Sequence, residues 1–126
     1  MAANKIVLLG PVFIANAVGN LFSPPTLTGG TNPPPVSTNT FYILRHISIV
    51  NKDTVARTFT LYKDATGGST SGKEIIGGTY SIAANSAFDK YCLIRLSSDE
   101  TDKFITGVAS AASVLVIEIE AEIGVV

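Results

Sequence analysis

The chain has 126 residues, nine basic and ten acidic side chains for a formal net charge of −1, 46% hydrophobic residues, one cysteine, one histidine and no tryptophan. That is one ordinary domain, able to bury roughly two thirds of the surface its unfolded form exposes. The balanced charge sets up no field toward phosphate backbones or anionic lipid, and no apolar run reaches the roughly 18 to 20 residues of a membrane helix, so neither nucleic acid nor membrane is expected as a partner.

In chain order, the first informative feature is an asymmetry. Between Met1 and Leu44 the only charged side chain is Lys5, and all six prolines fall between Pro11 and Pro35. The opening NKIVLLGPVFIANAVGN imitates a secretory signal, with its lysine, apolar stretch and Ala15-Asn16-Ala17, but Gly10-Pro11 breaks the apolar stretch. The expectation is a protein made in a cytoplasm and kept there until assembly. Residues 1–40 read as a strand followed by an extended segment, because Pro24-Pro25, Gly29-Gly30 and Pro33-Pro34-Pro35 forbid continuous helix. Without charge, such a segment is poorly solvated when free. It is expected to pack on its own sheet or on a neighbouring subunit, with Phe13, Leu21, Phe22 and Leu27 as interaction residues. The plainer alternative is an edge strand and a proline loop that merely closes the fold.

Residues 41–126 carry strand signals at the spacing of a sandwich or barrel, about eight strands in all. HISIVNKDTVARTFTLYKDA, residues 46–65, reads as two strands joined by a short hairpin with Asn51 and Asp53 as turn formers. In TFYILRHISIV the parity is blurred: Ile43, Ile47 and Ile49 share one face, while Leu44 and Val50 fall on the other. ARTFTLYKD alternates better, with Phe59 and Leu61 on one face and Thr58, Thr60 and Tyr62 on the other. After a Gly-rich loop come KEIIGGTYSIA and AFDKYCLIRL, separated by Ala84-Asn85-Ser86. Ser97 and Glu100 have capping-box spacing, so SSDETDKF is expected to form a single helical turn. In SVLVIEIEAEI, Leu115, Ile117, Ile119, Ala121 and Ile123 share one face and Glu118, Glu120 and Glu122 the other. A one-residue slip would bury three unpaired carboxylates, so the register is fixed. The expected core is Ile47, Ile49, Phe59, Leu61, Ile82, Leu93, Leu96, Leu115, Ile117 and Ile119.

A search for chemistry returns little. Nucleophilic catalysis needs a base beside the nucleophile, and the lone His46 lies in an isoleucine strand with no G-x-S-x-G anywhere. One His and one Cys cannot supply the N/S ligands of a zinc site, and Cys92 in YCLIRL reads as a packed thiol. The three glutamates of the last strand read as a solvated face, since a glycosidase pair needs an enclosing cleft. Asp99, Glu100 and Asp102 match no calcium loop and suit the start of a helical turn. TGGSTSGK, residues 66–73, lacks the spacing of a phosphate-binding loop. No catalytic residue, metal or cofactor is expected; a structural or binding module is.

FYILRHISIVNKDTVARTFTLYKDATGG and SIAANSAFDKYCLIRLSSDETDKFITGVASAASVLVIEIEAEI carry a resemblance over roughly residues 40 to 123. An Ile-Val-Asn turn leads into a Thr-rich TFTLY strand, and a polar turn after ITG precedes a terminal alternating strand. In this the chain resembles small accessory virion proteins of tailed bacteriophages. The resemblance implies a single-domain β-sandwich of jelly-roll type, often trimeric. Such a protein would sit on the capsid surface as a decoration protein bound to the major capsid protein. The alternative is a tail-associated receptor- or carbohydrate-binding module, for which Tyr42, Tyr62, Tyr80 and Tyr91 are the candidate sugar platforms.

Overall fold

The computed structural model describes residues 5–22, 40–64, 73–97, 102 and 104–125. Within them the protein is all-β, with no helix among the described residues. Its eight strands are β1 (Lys5–Phe13), β2 (Gly19–Phe22), β3 (Thr40–Asn51), β4 (Arg57–Asp64), β5 (Glu74–Ile82), β6 (Ala87–Ser97), β7 (Phe104–Ala109) and β8 (Leu115–Val125). They form two four-stranded sheets, ordered β1-β8-β3-β6 and β2-β7-β4-β5, with every pairing antiparallel. Most of the expected helical turn in SSDETDKF, the Gly-rich loop from residue 65 to 72 and the prolines from Pro24 onward lie outside the described residues.

The two strands of HISIVNKDTVARTFTLYKDA do not form the expected hairpin. β3 pairs with β6 and β8 in the first sheet, while β4 pairs with β5 and β7 in the second. The reason lies in Asn51, a fully buried residue that does more than favour a turn. Its Nδ2 donates to Val55 O and Ile82 O at 3.0 Å and to Ala83 O at 3.2 Å, and its Oδ1 accepts from Asp53 N at 2.9 Å. The backbone N–H of Asn51 donates to Ser86 O and that of Lys52 to Val114 O. These bonds hold the end of β3 against the β5–β6 and β7–β8 connections, so the chain leaves the first sheet at the sandwich edge and re-enters in the second.

β8 alternates as its sequence demands: Leu115, Ile117, Ile119 and Ala121 are buried, and Glu118, Glu120 and Glu122 face out. β1 runs straight through Gly10-Pro11, which the sequence suggested as a break. Leu9 opposes Ile119 and Val12 opposes Ile117, so one extra residue bulges there. Only glycine fits at position 10, with φ +91° and an added Cβ that would lie 2.6 Å from Ile117 O.

The blurred parity of β3 also has a structural cause. Leu44 opposes Ala121 and His46 opposes Glu120, so Arg45 is an extra residue relative to β8. The alternation flips there, and Leu44 joins Ile47 and Ile49 in the core while Arg45 and His46, adjacent in sequence, both face outward. Nine of the ten expected core residues are buried, with Ile14, Leu44, Ile105, Ala109 and Ala121 added to them. Leu93 is the exception, 84% exposed on the outer face of β6. Between the sheets, Phe59 packs on Tyr80 and Phe88 with ring centroids 5.8 and 5.1 Å away.

Candidate functional site

The outer face of the first sheet concentrates what the core does not use. One edge of that sheet is β1, where Ile6 and Leu8 project outward opposite Glu122 and Glu120 and Leu8 is 60% exposed. Further along, Phe13 opposes Val116, which opposes Val50, giving an apolar row across three strands. Both Phe13 and Val50 are exposed, and the Lys52 ammonium lies 5.3 Å from the Phe13 ring centre. Of the nine large hydrophobic residues exposed among the described residues, five (Ile6, Leu8, Val12, Phe13 and Val18) belong to the stretch that the sequence leaves almost without charge. Lone exposed apolar side chains are ordinary; a row of them on an edge strand is not.

The anchors expected from sequence divide. Phe13 is on this outer face, whereas Leu21 and Phe22 are half-buried and pack against the protein's own core. Leu27 lies outside the described residues.

At the opposite edge of the same sheet, about 14 Å away across three ladder spacings, two bulges coincide. Arg45 is extra on β3 relative to β8, and β6 carries one residue more than β3 between the pairs Leu44–Ile94 and His46–Tyr91. Adjacent bulges at one level push the strands apart and re-aim their side chains. The result is an open cleft of about 390 Å³ lined by Ile43, Arg45, His46, Tyr91, Cys92, Leu93, Glu120 and Glu122. His46 Nε2 lies 3.1 Å from Asp89 Oδ1, and its ring stacks on Tyr91 with centroids 4.6 Å apart. Tyr91 is nevertheless 81% exposed. Arg45 Nη1 pairs with Glu122 Oε2 at 3.3 Å. The Cys92 thiol donates to Leu44 O at 3.4 Å, and burial pushes its pKa up despite the opposing pull of Lys90. It is therefore a poor nucleophile, which agrees with its reading as a packed thiol.

Of the four candidate tyrosines, only Tyr91 offers an open ring. Tyr62 is buried, Tyr80 is held between Phe59 and Phe88, and Tyr42 is half-buried with a hydroxyl pKa raised by burial. The cleft itself is not apparent in the sequence. Its one signal is the polar doublet Arg45-His46, which breaks strict alternation inside a strand.

No protein-family model matches the chain, and no curated protein matches its sequence.

Proposed function

We propose that the chain is a non-enzymatic structural protein of a tailed-bacteriophage virion, a capsid decoration protein that assembles as a homotrimer and binds the lattice of the major capsid protein. The observation that carries this reading is the exposed apolar strip along β1, on a stretch with Lys5 as its sole charge. A contact surface of this kind is matched by shape and buried apolar area, without the convergent polar groups of a catalytic site.

The strand order adds support at the level of fold. With β1-β8-β3-β6 facing β2-β7-β4-β5, six of the seven connections between consecutive strands cross from one sheet to the other, and only β4 and β5 form a simple hairpin. That order supports a jelly-roll reading, an architecture shared by viral capsid proteins and lectins. Fold analogy alone does not assign function, so the weight rests on the strip. In the virion reading, β1 and Phe13 meet a sister subunit or the capsid.

Light scattering of the intact chain at micromolar concentration, with and without Leu8→Asp, tests the reading, together with co-sedimentation on purified capsids. The expected result is a mass three times the 13.2 kDa of one chain, retention on capsids, and loss of both in the variant. A monomer that ignores capsids, or a variant that trimerises and binds unchanged, would sink it.

A further inference from the structure

The cleft shares the outer face of the first sheet with the β1 strip and borders it at Glu120 and Glu122, the cross-strand neighbours of Leu8 and Ile6, but its chemistry is different. We propose that it binds a neutral saccharide, with the Tyr91 ring as the platform for the sugar's C–H face and Glu120, Glu122 and Arg45 as partners for its hydroxyl groups.

Three observations lead there. First, Tyr91 is held in place without being covered: one face stacks on His46, which Asp89 fixes, and the side chain is still four-fifths exposed. An aromatic ring this open stands at an energetic disadvantage in water that a ligand would remove. Second, Leu93 stands two residues further along the same edge strand and equally exposed, and Ile43 flanks it across the ladder, so the ring has an apolar rim. Third, the floor is polar and of mixed sign. Glu120 and Glu122 accept hydrogen bonds and the Arg45 guanidinium has donors beyond the one it directs to Glu122.

The mixed sign selects the ligand class. A cationic side chain would meet Arg45, and an anionic group would meet two carboxylates. A polyol carries no charge, and each hydroxyl can both donate to a carboxylate and accept from a guanidinium. The volume of about 390 Å³ falls in the range of small-molecule sites, although toward its lower end, which suits one or two sugar rings. The proposal is read from the cleft's own side chains and does not rest on the virion reading.

The test is a titration of the intact chain with the methyl glycosides of glucose, galactose, mannose and N-acetylglucosamine, followed by two-dimensional amide NMR. An open cleft gripping one ring should give saturable shifts with Kd of about 1 to 10 mM, confined to the neighbourhoods of Arg45, Tyr91, Leu93 and Glu120. Tyr91→Ala and Glu120→Gln alter exposed side chains and should each weaken binding by about tenfold, the equivalent of one good contact. Absence of saturable shifts from all four glycosides would overturn the proposal, as would unchanged binding in Tyr91→Ala. Saturable shifts at the same amides from N-acetyl-lysine amide, with none from the glycosides, would overturn it too and reassign the cleft to a basic side chain.

Discussion

Asn51→Leu should be among the most damaging single substitutions in this fold. Leucine has the same branching and the same number of side-chain heavy atoms as asparagine, so the change removes the hydrogen bonds without opening a cavity. Wild-type Asn51 is fully buried and makes four side-chain hydrogen bonds, three donated by Nδ2 and one accepted by Oδ1. Nδ2 has two hydrogens for these three carbonyls, so one is shared; in the variant, Val55 O and Ala83 O sit in part-buried surroundings where water can replace the amide, at a net cost of about 1 kcal/mol together. Ile82 O lies in the interior, and leaving it unpaired costs about 1 to 3 kcal/mol. The freed N–H of Asp53 brings the total to about 3 to 5 kcal/mol, a large share of the roughly 5 to 15 kcal/mol that stabilises a domain. For a chain of this length each kcal/mol moves the midpoint by about 4 °C, so thermal unfolding should shift down by about 12 to 20 °C. Differential scanning calorimetry measures this directly. Amide exchange of Asp53 supplies an independent readout, since its protection depends on the Asn51 oxygen. A midpoint within about 4 °C of wild type, with Asp53 still protected, would refute the view that one side chain holds the β3–β4 crossing in place.

Thr106→Val should leave stability unchanged or raise it by about 1 kcal/mol in urea unfolding, because the Thr106 hydroxyl is fully buried with no hydrogen-bond partner and valine keeps its shape; a loss above about 1 kcal/mol would show that the hydroxyl is satisfied in solution. Asp53 should titrate below the ordinary carboxylate range in carbon NMR, since the Thr54 N–H and then the Arg57 guanidinium, 2.6 Å away, favour its charged form. A carboxylate with a depressed folded pKa contributes stability that is present above its unfolded value and is lost as pH falls through the folded one. Asp53→Asn should therefore flatten the stability profile below about pH 4 and leave its neutral-pH shape alone.

Much of this architecture was legible in the sequence because one rule, alternation, covers most of it. In β8 the contrast between isoleucine and glutamate fixes both faces, and the structure buries every second residue from Leu115 to Ala121. β4 obeys the same rule with Phe59 and Leu61. Asn51 shows where local reading stops: asparagine before Lys-Asp-Thr reads as a turn residue, yet its amide serves carbonyls 31 and 32 positions downstream. No short-range pattern encodes such a partner.

The same limit hides the cleft, although several of its components stand out in the sequence. Tyr91 reads as a possible sugar platform, Glu118, Glu120 and Glu122 as an outward face and His46 as a lone strand histidine. Tyr91, His46, Glu120 and Glu122 meet where both ladders of β3 shift register at one level, between Leu44 and His46. A bulge costs one ladder position and shifts parity by one, so its effect on a periodic reading is to make a correct strand look noisy. The noise itself carries information. Leu44 and Ile47 are both buried at a spacing of three, which an unbroken strand cannot achieve, and the polar pair between them is what the extra residue exposes. Leu93 is outside the core for the opposite reason: β6 alternates without a break, so with Leu96 buried and Cys92 and Ile94 turned inward, Tyr91 and Leu93 both face out and form the rim of the cleft. On β3 the break in alternation thus falls at the cleft, and Arg45 and His46, the pair that fits the rule worst, face outward into it.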